Sequence, residues 1–426
     1  MNDAVQKYLD RHAMLNRWPI VHGPLDGIHQ VVVIPCLAED PGLFDTLDDL
    51  SANPKAETDR TLVICVVNNR KPPFSSEDEI ENNQRTLKRL RDCGDLRLAY
   101  IDASSPESEF PEKDGVGLAR KIGLDTGVHV LVESSDIARP LICLDADTRV
   151  DNNYLDTIRT FYEEGQPWAA IVDYAHPIDG SGEETAAILC YELFLRYHEL
   201  GLAYAGSAYA FPAIGSTITC SARAYVAVTG MNRKRAGEDF YFLQKLAKTG
   251  TIIRITGTTV RPSARPSNRV PFGTGRSVQR FLDGDEDEYQ AYHPQSYRVL
   301  KHWLSLAASS LEQDSATLLE GAEAISPALR TFLESDHFDE IWMNLETNSP
   351  KRKRDIKHFN GWFDGFKTLK LLHHLRDNGY PDQEMFESIA TLLEWKGVEP
   401  PMRIHSGLKP DLDGQRKLLQ LMRTCH

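Results

Sequence analysis

Leu141-Ile-Cys-Leu-Asp-Ala-Asp-Thr-Arg-Val150 is the stretch whose reading decides the fold. Four apolar residues run into Asp145 and Asp147, so two carboxylates stand two apart where a buried strand ends. Residues i and i+2 of a strand share a face. At the carboxyl edge of an open α/β sheet, that face meets a ligand in the crevice. Two desolvated carboxylates need a counter-charge, and a divalent cation carrying phosphates supplies one.

The surroundings fit a layered α/β domain. Gln30–Pro35 and Thr61–Val67 are continuous apolar runs of the kind buried on both faces of a parallel sheet. Helical spacing over 41–50, 75–92 and 115–129 alternates with these runs and with a third strand at Leu96–Ile101. Further on, helices are expected over 152–164, 184–200 and 239–249, the last capped by Asp239, with strands at Ala169–Tyr174 and Thr251–Ile255. From 295 to 397 the patterns are helical, with breaks near Ser326–Pro327 and Asn348–Pro350, and a last helix falls near 413–424. Two domains are expected, 1–285 and 286–426.

Composition narrows the function. With 48 basic against 62 acidic residues the net charge is −14, which argues against a nucleic-acid binder. No stretch reaches the length of an apolar span and the first twenty residues lack an apolar signal core, so a cytoplasmic chain without an integral membrane segment is expected. Seven scattered cysteines, none in a Cys-x-x-Cys, read as reduced thiols. The basic run 351–354 reads as a solvated loop.

Val31–Glu39, Val66–Arg70, Gly117–Gly123 and Leu144–Thr148, with a further segment downstream, resemble in order those of the family 2 glycosyltransferases of GT-A fold. Val31–Glu39 (VVVIPCLAE) is similar to the opening strand and its Pro-x-x-Asn-Glu turn, with Ala38 where the family has Asn. Asn68 and Asn69 stand where the family has Asp-Asp or Asp-Asn after the second strand. Gly117-Leu-Ala-Arg-Lys-Ile-Gly123 resembles the Gly-x-Ala-Arg-Asn-x-Gly helix, with Lys121 in place of Asn. Leu144–Thr148 supplies the Asp-x-Asp segment, and Gly237-Glu-Asp resembles the Glu-Asp segment.

The resemblance covers about residues 28–260 and implies a Rossmann-like, nucleotide-diphospho-sugar-binding domain of α/β class, followed by a mainly helical C-terminal region. It implies a transferase moving a sugar from a UDP- or GDP-sugar to a hydroxyl acceptor, inverting by single displacement, with Mn²⁺ or Mg²⁺ as cofactor. Asp147 would hold the metal, with Asp145 at the metal or ribose. Pro35, Cys36, Glu39, Asn68, Asn69, Arg120 and Lys121 would line the nucleotide site. Asp239 would be the catalytic base, with Glu238 the alternative.

Residues 261–280 hold five arginines among Pro, Ser and Gly, a composition suited to a loop that orders over a diphosphate; Arg269 and Arg276 are its candidates. His176 and His293 read as structural. The helical region is expected to shape the acceptor site or a homo-oligomer contact. Three other readings stand beside this one: a retaining GT-A transferase, a non-catalytic nucleotide-sugar-binding protein and a nucleotidyltransferase. The last would carry a Gly-rich, basic phosphate loop after the first strand, and Pro35–Gly42 has none.

Overall fold

The computed structural model describes residues 3–94, 96–133, 137–284, 287–347, 353–404 and 407–425. The expected domain boundary at 285–286, the break at Asn348–Pro350 and the first half of the basic run lie outside them. The chain forms two compact units. One comprises residues 1–177 and 213–276; the other comprises 178–212 and 277–426.

The first unit is α/β, as the alternation of strand and helix patterns requires. Among the described residues its strands are β1 (Ile20–His22), β2 (Gln30–Cys36), β3 (Thr61–Asn68), β4 (Arg97–Ala103), β5 (Pro140–Cys143), β6 (Arg149–Val150), β7 (Ala169–Tyr174), β8 (Ile218–Ser221) and β9 (Ile252–Arg261). They make one sheet in the order β1-β4-β3-β2-β5-β8-β7-β9-β6. β2, β3, β4 and β5 are mutually parallel, whereas β8 enters antiparallel between β5 and β7. The sequence pattern gives no warning of β8: it is four residues long and buried throughout, so it carries no alternation.

The chain winds outward from β2 through β3 to β4, then returns to place β5 on the other side of β2. That reversal is a topological switch point, where α/β sheets open a crevice beyond the strands' carboxyl ends. Cys36 ends β2 and Cys143 ends β5, so the segments starting at Leu37 and Leu144 border that crevice.

Helix Val116–Glu133 lies on the sheet through Gly123, where a Cβ would come 2.3 Å from Val33 Cγ1. Only glycine permits that approach. Asp125 of the same helix is fully buried and accepts from Tyr8 Oη (2.6 Å), Tyr225 Oη (2.8 Å) and the Met14 amide (2.8 Å). These bonds tie the N-terminal helix Asp3–Arg11 to the sheet-covering layer.

The second unit is helical. Helix Glu183–Ala205 runs through its core, with Gly201 against the Tyr297 ring and Glu192 gripped by Arg423 at 2.8 Å. Trp303, Phe338, Trp342 and Phe359 form an aromatic cluster with almost no exposure. The last helix, Leu412–Met422, is held by Arg416, which donates to the Ile178 carbonyl at 3.1 Å. Among the described residues, no helix is long and apolar enough to cross a membrane.

Candidate active site

Past the end of β5, burial alternates: Leu144, Ala146 and Thr148 point inward, while Asp145 and Asp147 stay about a third exposed. The Ala146 carbonyl accepts from Thr46 Oγ1 at 2.9 Å, and the Thr148 amide bonds the Asp145 carbonyl at 3.2 Å, which fixes the turn. Both carboxylates therefore project from the sheet edge together.

The turn after β2 is pinned by two adjacent residues of helix Glu77–Asp92. Asn83 Oδ1 accepts from the Ala38 amide at 2.9 Å. Asn82 accepts from the Asp40 amide at 3.0 Å and donates to the Asp40 carbonyl at 2.8 Å. Ala38 sits in the left-handed region at φ 53°, a conformation that Asn or Gly holds more easily. The turn presents Glu39 toward Asp147.

Two guanidiniums bind these acids. Arg120, from the helix covering the sheet, donates to both Asp145 and Glu238 and is 4% exposed. It fits because of Gly215, where a Cβ would lie 2.0 Å from Nη2. Arg265 contacts both oxygens of Glu39 at 3.0 Å and Asp147 Oδ2 at 3.3 Å.

Arg265 belongs to a repeat, Arg261-Pro-Ser-Ala-Arg265-Pro-Ser-Asn-Arg269. Ser263 Oγ accepts from the Arg265 amide at 3.2 Å, and Ser267 Oγ from the Arg269 amide at 3.3 Å. Arg261 donates to Asp151 at 2.6 Å, and Arg269 to Glu39 and to the carbonyls of Leu37 (3.0 Å) and Ala38 (3.3 Å). Each arginine of the repeat thus meets a carboxylate. Reading the loop for its arginine content misses Arg265; the four-residue spacing is the signal that finds it.

Helix Glu238–Thr249 brings the remaining acids. Its N-cap is Gly237 at φ 68°, not Asp239 as expected. With glycine taking the left-handed turn, Asp239 falls inside the first turn, where Oδ1 accepts from the Phe240 amide at 2.7 Å.

Burial raises the Asp147 pKa to about 6, with Glu39 and Asp145 adding to the effect and Arg265 opposing it. Glu238 is raised to about 7 by burial and Asp239, against Arg120. Burial also raises Asp239. Five carboxylates thus face Arg120, Arg265 and Arg269, and the acids remain under-compensated.

The other expected nucleotide-site residues are placed as follows. Pro35 lies at the end of β2, half-buried, and the Cys36 thiol is buried. Asn69 Nδ2 donates to the Arg70 carbonyl (3.2 Å), its Oδ1 accepts from Asn83 Nδ2 (3.0 Å), and the Asn68 carbonyl also accepts from Asn83. Lys121 turns to Asp125 (3.0 Å) and Tyr8 (3.2 Å), one helical turn along its own helix. Arg276 lies in helix Thr274–Asp283, which replaces the end of the expected loop, and donates to Asn268 at 2.5 Å. His176 is buried, with Nε2 3.3 Å from Thr274, and His293 caps helix Pro294–Ser309.

No family model and no curated protein matches the sequence. Among solved structures, the chain is similar to S. aureus TarS 1–349 in complex with UDP-GlcNAc, at 12% identity and a TM-score of 0.40, over 89% of this chain and 95% of that one. It is similar to the mannosyltransferase PcManGT from Pyrobaculum calidifontis in complex with GDP-Man and Mn²⁺, at 13% identity and a TM-score of 0.38, over 85% and 93%. A third, GalNAc-T7 with UDP, GalNAc and Mn²⁺, gives 13% identity and a TM-score of 0.35 over 70% and 55%.

Proposed function

We propose that this chain is a GT-A glycosyltransferase that moves a sugar from a UDP- or GDP-sugar to a hydroxyl acceptor, inverting by single displacement. The observation that carries this reading is the meeting of acids and arginines at the switch point. Glu39, Asp145 and Asp147 follow the ends of adjacent strands β2 and β5, and Arg120 joins Asp145 to Glu238.

The donor set fits Mn²⁺ or Mg²⁺. Oxygen ligands suit both ions, and the raised Asp147 pKa marks a carboxylate that a cation would relieve. Asp147 would hold it, with Asp145 and Glu39 adjacent. Among the described residues no three His, Cys, Asp or Glu side chains converge as a complete metal site, so the diphosphate and water would complete the coordination. When bound, the ion supplies charge for the departing diphosphate.

The chain's own residues do the rest. Arg269, and Arg265 beside it, would meet phosphate oxygens at the crevice rim, since guanidinium forks match such oxygens. Asp239 takes the acceptor proton: the Phe240 amide on one oxygen and the nearby Arg120 charge favour its ionised form, against the burial that raises its pKa. Glu238, locked to Arg120, keeps that turn in place.

The test is to incubate the protein with UDP- and GDP-sugars and Mn²⁺ and to follow release of nucleoside diphosphate. One donor should be consumed by the wild type and not by Asp239→Asn. Tight nucleotide-sugar binding with no turnover, with or without acceptors, would favour the non-catalytic binding protein instead.

A further inference from the structure

Resting on the proposed cation site, we infer that Arg265 is its built-in counter-ion: a guanidinium that neutralises Asp147 and yields it when a divalent cation binds. Its side chain bonds Glu39 and Asp147, with no third partner among the described residues. A divalent cation at Asp147 would stand beside a guanidinium of like charge, which lies 3.3 Å from Oδ2, and that repulsion favours release of the Arg265 contact.

The neighbouring arginines are built differently. Arg261 is fixed to Asp151. Arg269 holds the Leu37 and Ala38 carbonyls as well as Glu39, so it keeps partners whatever happens at Asp147. Arg265 alone of the three depends wholly on the site's carboxylates, and at 47% exposure its side chain has room to turn. The bond from its amide to Ser263 keeps its backbone in place while the side chain moves.

Displacement need not cost the full contact. Arg265 retains Glu39, and a nucleoside diphosphate offers it new oxygen acceptors close by. Cation and diphosphate therefore bind with positive coupling: alone, the cation competes with Arg265; together, they give Arg265 somewhere to go. By linkage the diphosphate tightens the cation to the same degree that the cation tightens the diphosphate.

The experiment is Mn²⁺ binding without nucleotide, read from the paramagnetic resonance signal of free Mn²⁺, for wild type, Arg265→Gln, Arg265→Lys and Asp147→Asn. Arg265→Gln should bind about three- to tenfold tighter than wild type, the range expected when a partly exposed competing charge is removed. Arg265→Lys should stay near wild type, and Asp147→Asn should lose the site. If Arg265→Gln binds no more tightly than wild type while Asp147→Asn still loses Mn²⁺, the counter-ion role is wrong and the cation site survives. If Asp147→Asn binds like wild type, the cation site itself is wrong and the inference falls with it.

Discussion

Arg120 and Glu238 form an ion pair in which neither side chain is more than 5% exposed. The same guanidinium reaches Asp145, so one residue of the sheet-covering helix links the strand-end acid to the acids of helix Glu238–Thr249. Burying these charges is tolerated only because they compensate one another.

Removing Arg120 should therefore be severe. Arg120→Gln is expected to destabilise the protein by about 3–5 kcal/mol, because it strands buried carboxylate charge. Chemical denaturation measures this. The double variant Arg120→Gln/Glu238→Gln should cost less than the sum of the singles; strict additivity would mean that the pair is not coupled.

Gly215 should matter through Arg120 alone. A methyl group there would sit 2.0 Å from the guanidinium and must displace it. Gly215→Ala should cost about 1–3 kcal/mol in thermal unfolding, the usual range for overpacking. A neutral result would show that Arg120 is free to move.

At Ala38 the expected sign is opposite. Its φ of 53° is unfavourable for alanine and easy for glycine. Ala38→Gly should stabilise the folded chain by about 0.5–1 kcal/mol, visible as a higher denaturation midpoint.

Acidity supplies a further test. Glu238 is raised to about 7, so in the folded chain it holds its proton above the range where an unfolded glutamate loses it. The folded state then binds more protons between the ordinary carboxylate range and about 7, and this group's contribution to stability falls as pH rises through that window. Glu238→Gln should flatten that slope. Transfer should instead rise with pH, because Asp239 must be ionised to accept a proton and burial raises its pKa above the ordinary carboxylate range. A kcat/KM that stays flat or falls as pH rises through and above the carboxylate range would exclude Asp239 as the base.

The α/β class is legible in the sequence because strands buried on both faces read as continuous apolar runs and the helices between them keep their own period. β2, β3 and β7 fall close to their expected limits for that reason. β8 does not show, since four buried residues carry no period. Helix Glu183–Ala205 is visible as a helix, but its grouping with the helical unit rests on contacts with residues far along the chain.

At the site, Asp145 and Asp147 stand out because polar residues ending an apolar run are conspicuous. The direction of Lys121 is hidden, because its choice of Asp125 depends on Tyr8 and Tyr225 closing around the same acid. Arg265 is hidden in a loop where composition marks arginines without ranking them.

The most direct test is thermal unfolding with UDP and GDP, each with and without Mn²⁺, for wild type and Asp147→Asn. One nucleoside diphosphate should stabilise the wild type by about 2.7 kcal/mol at a hundredfold excess over its Kd. That gain should require Mn²⁺ and vanish in Asp147→Asn. No stabilisation by either nucleotide, or equal stabilisation of both proteins, would contradict a cation-held diphosphate at this sheet edge.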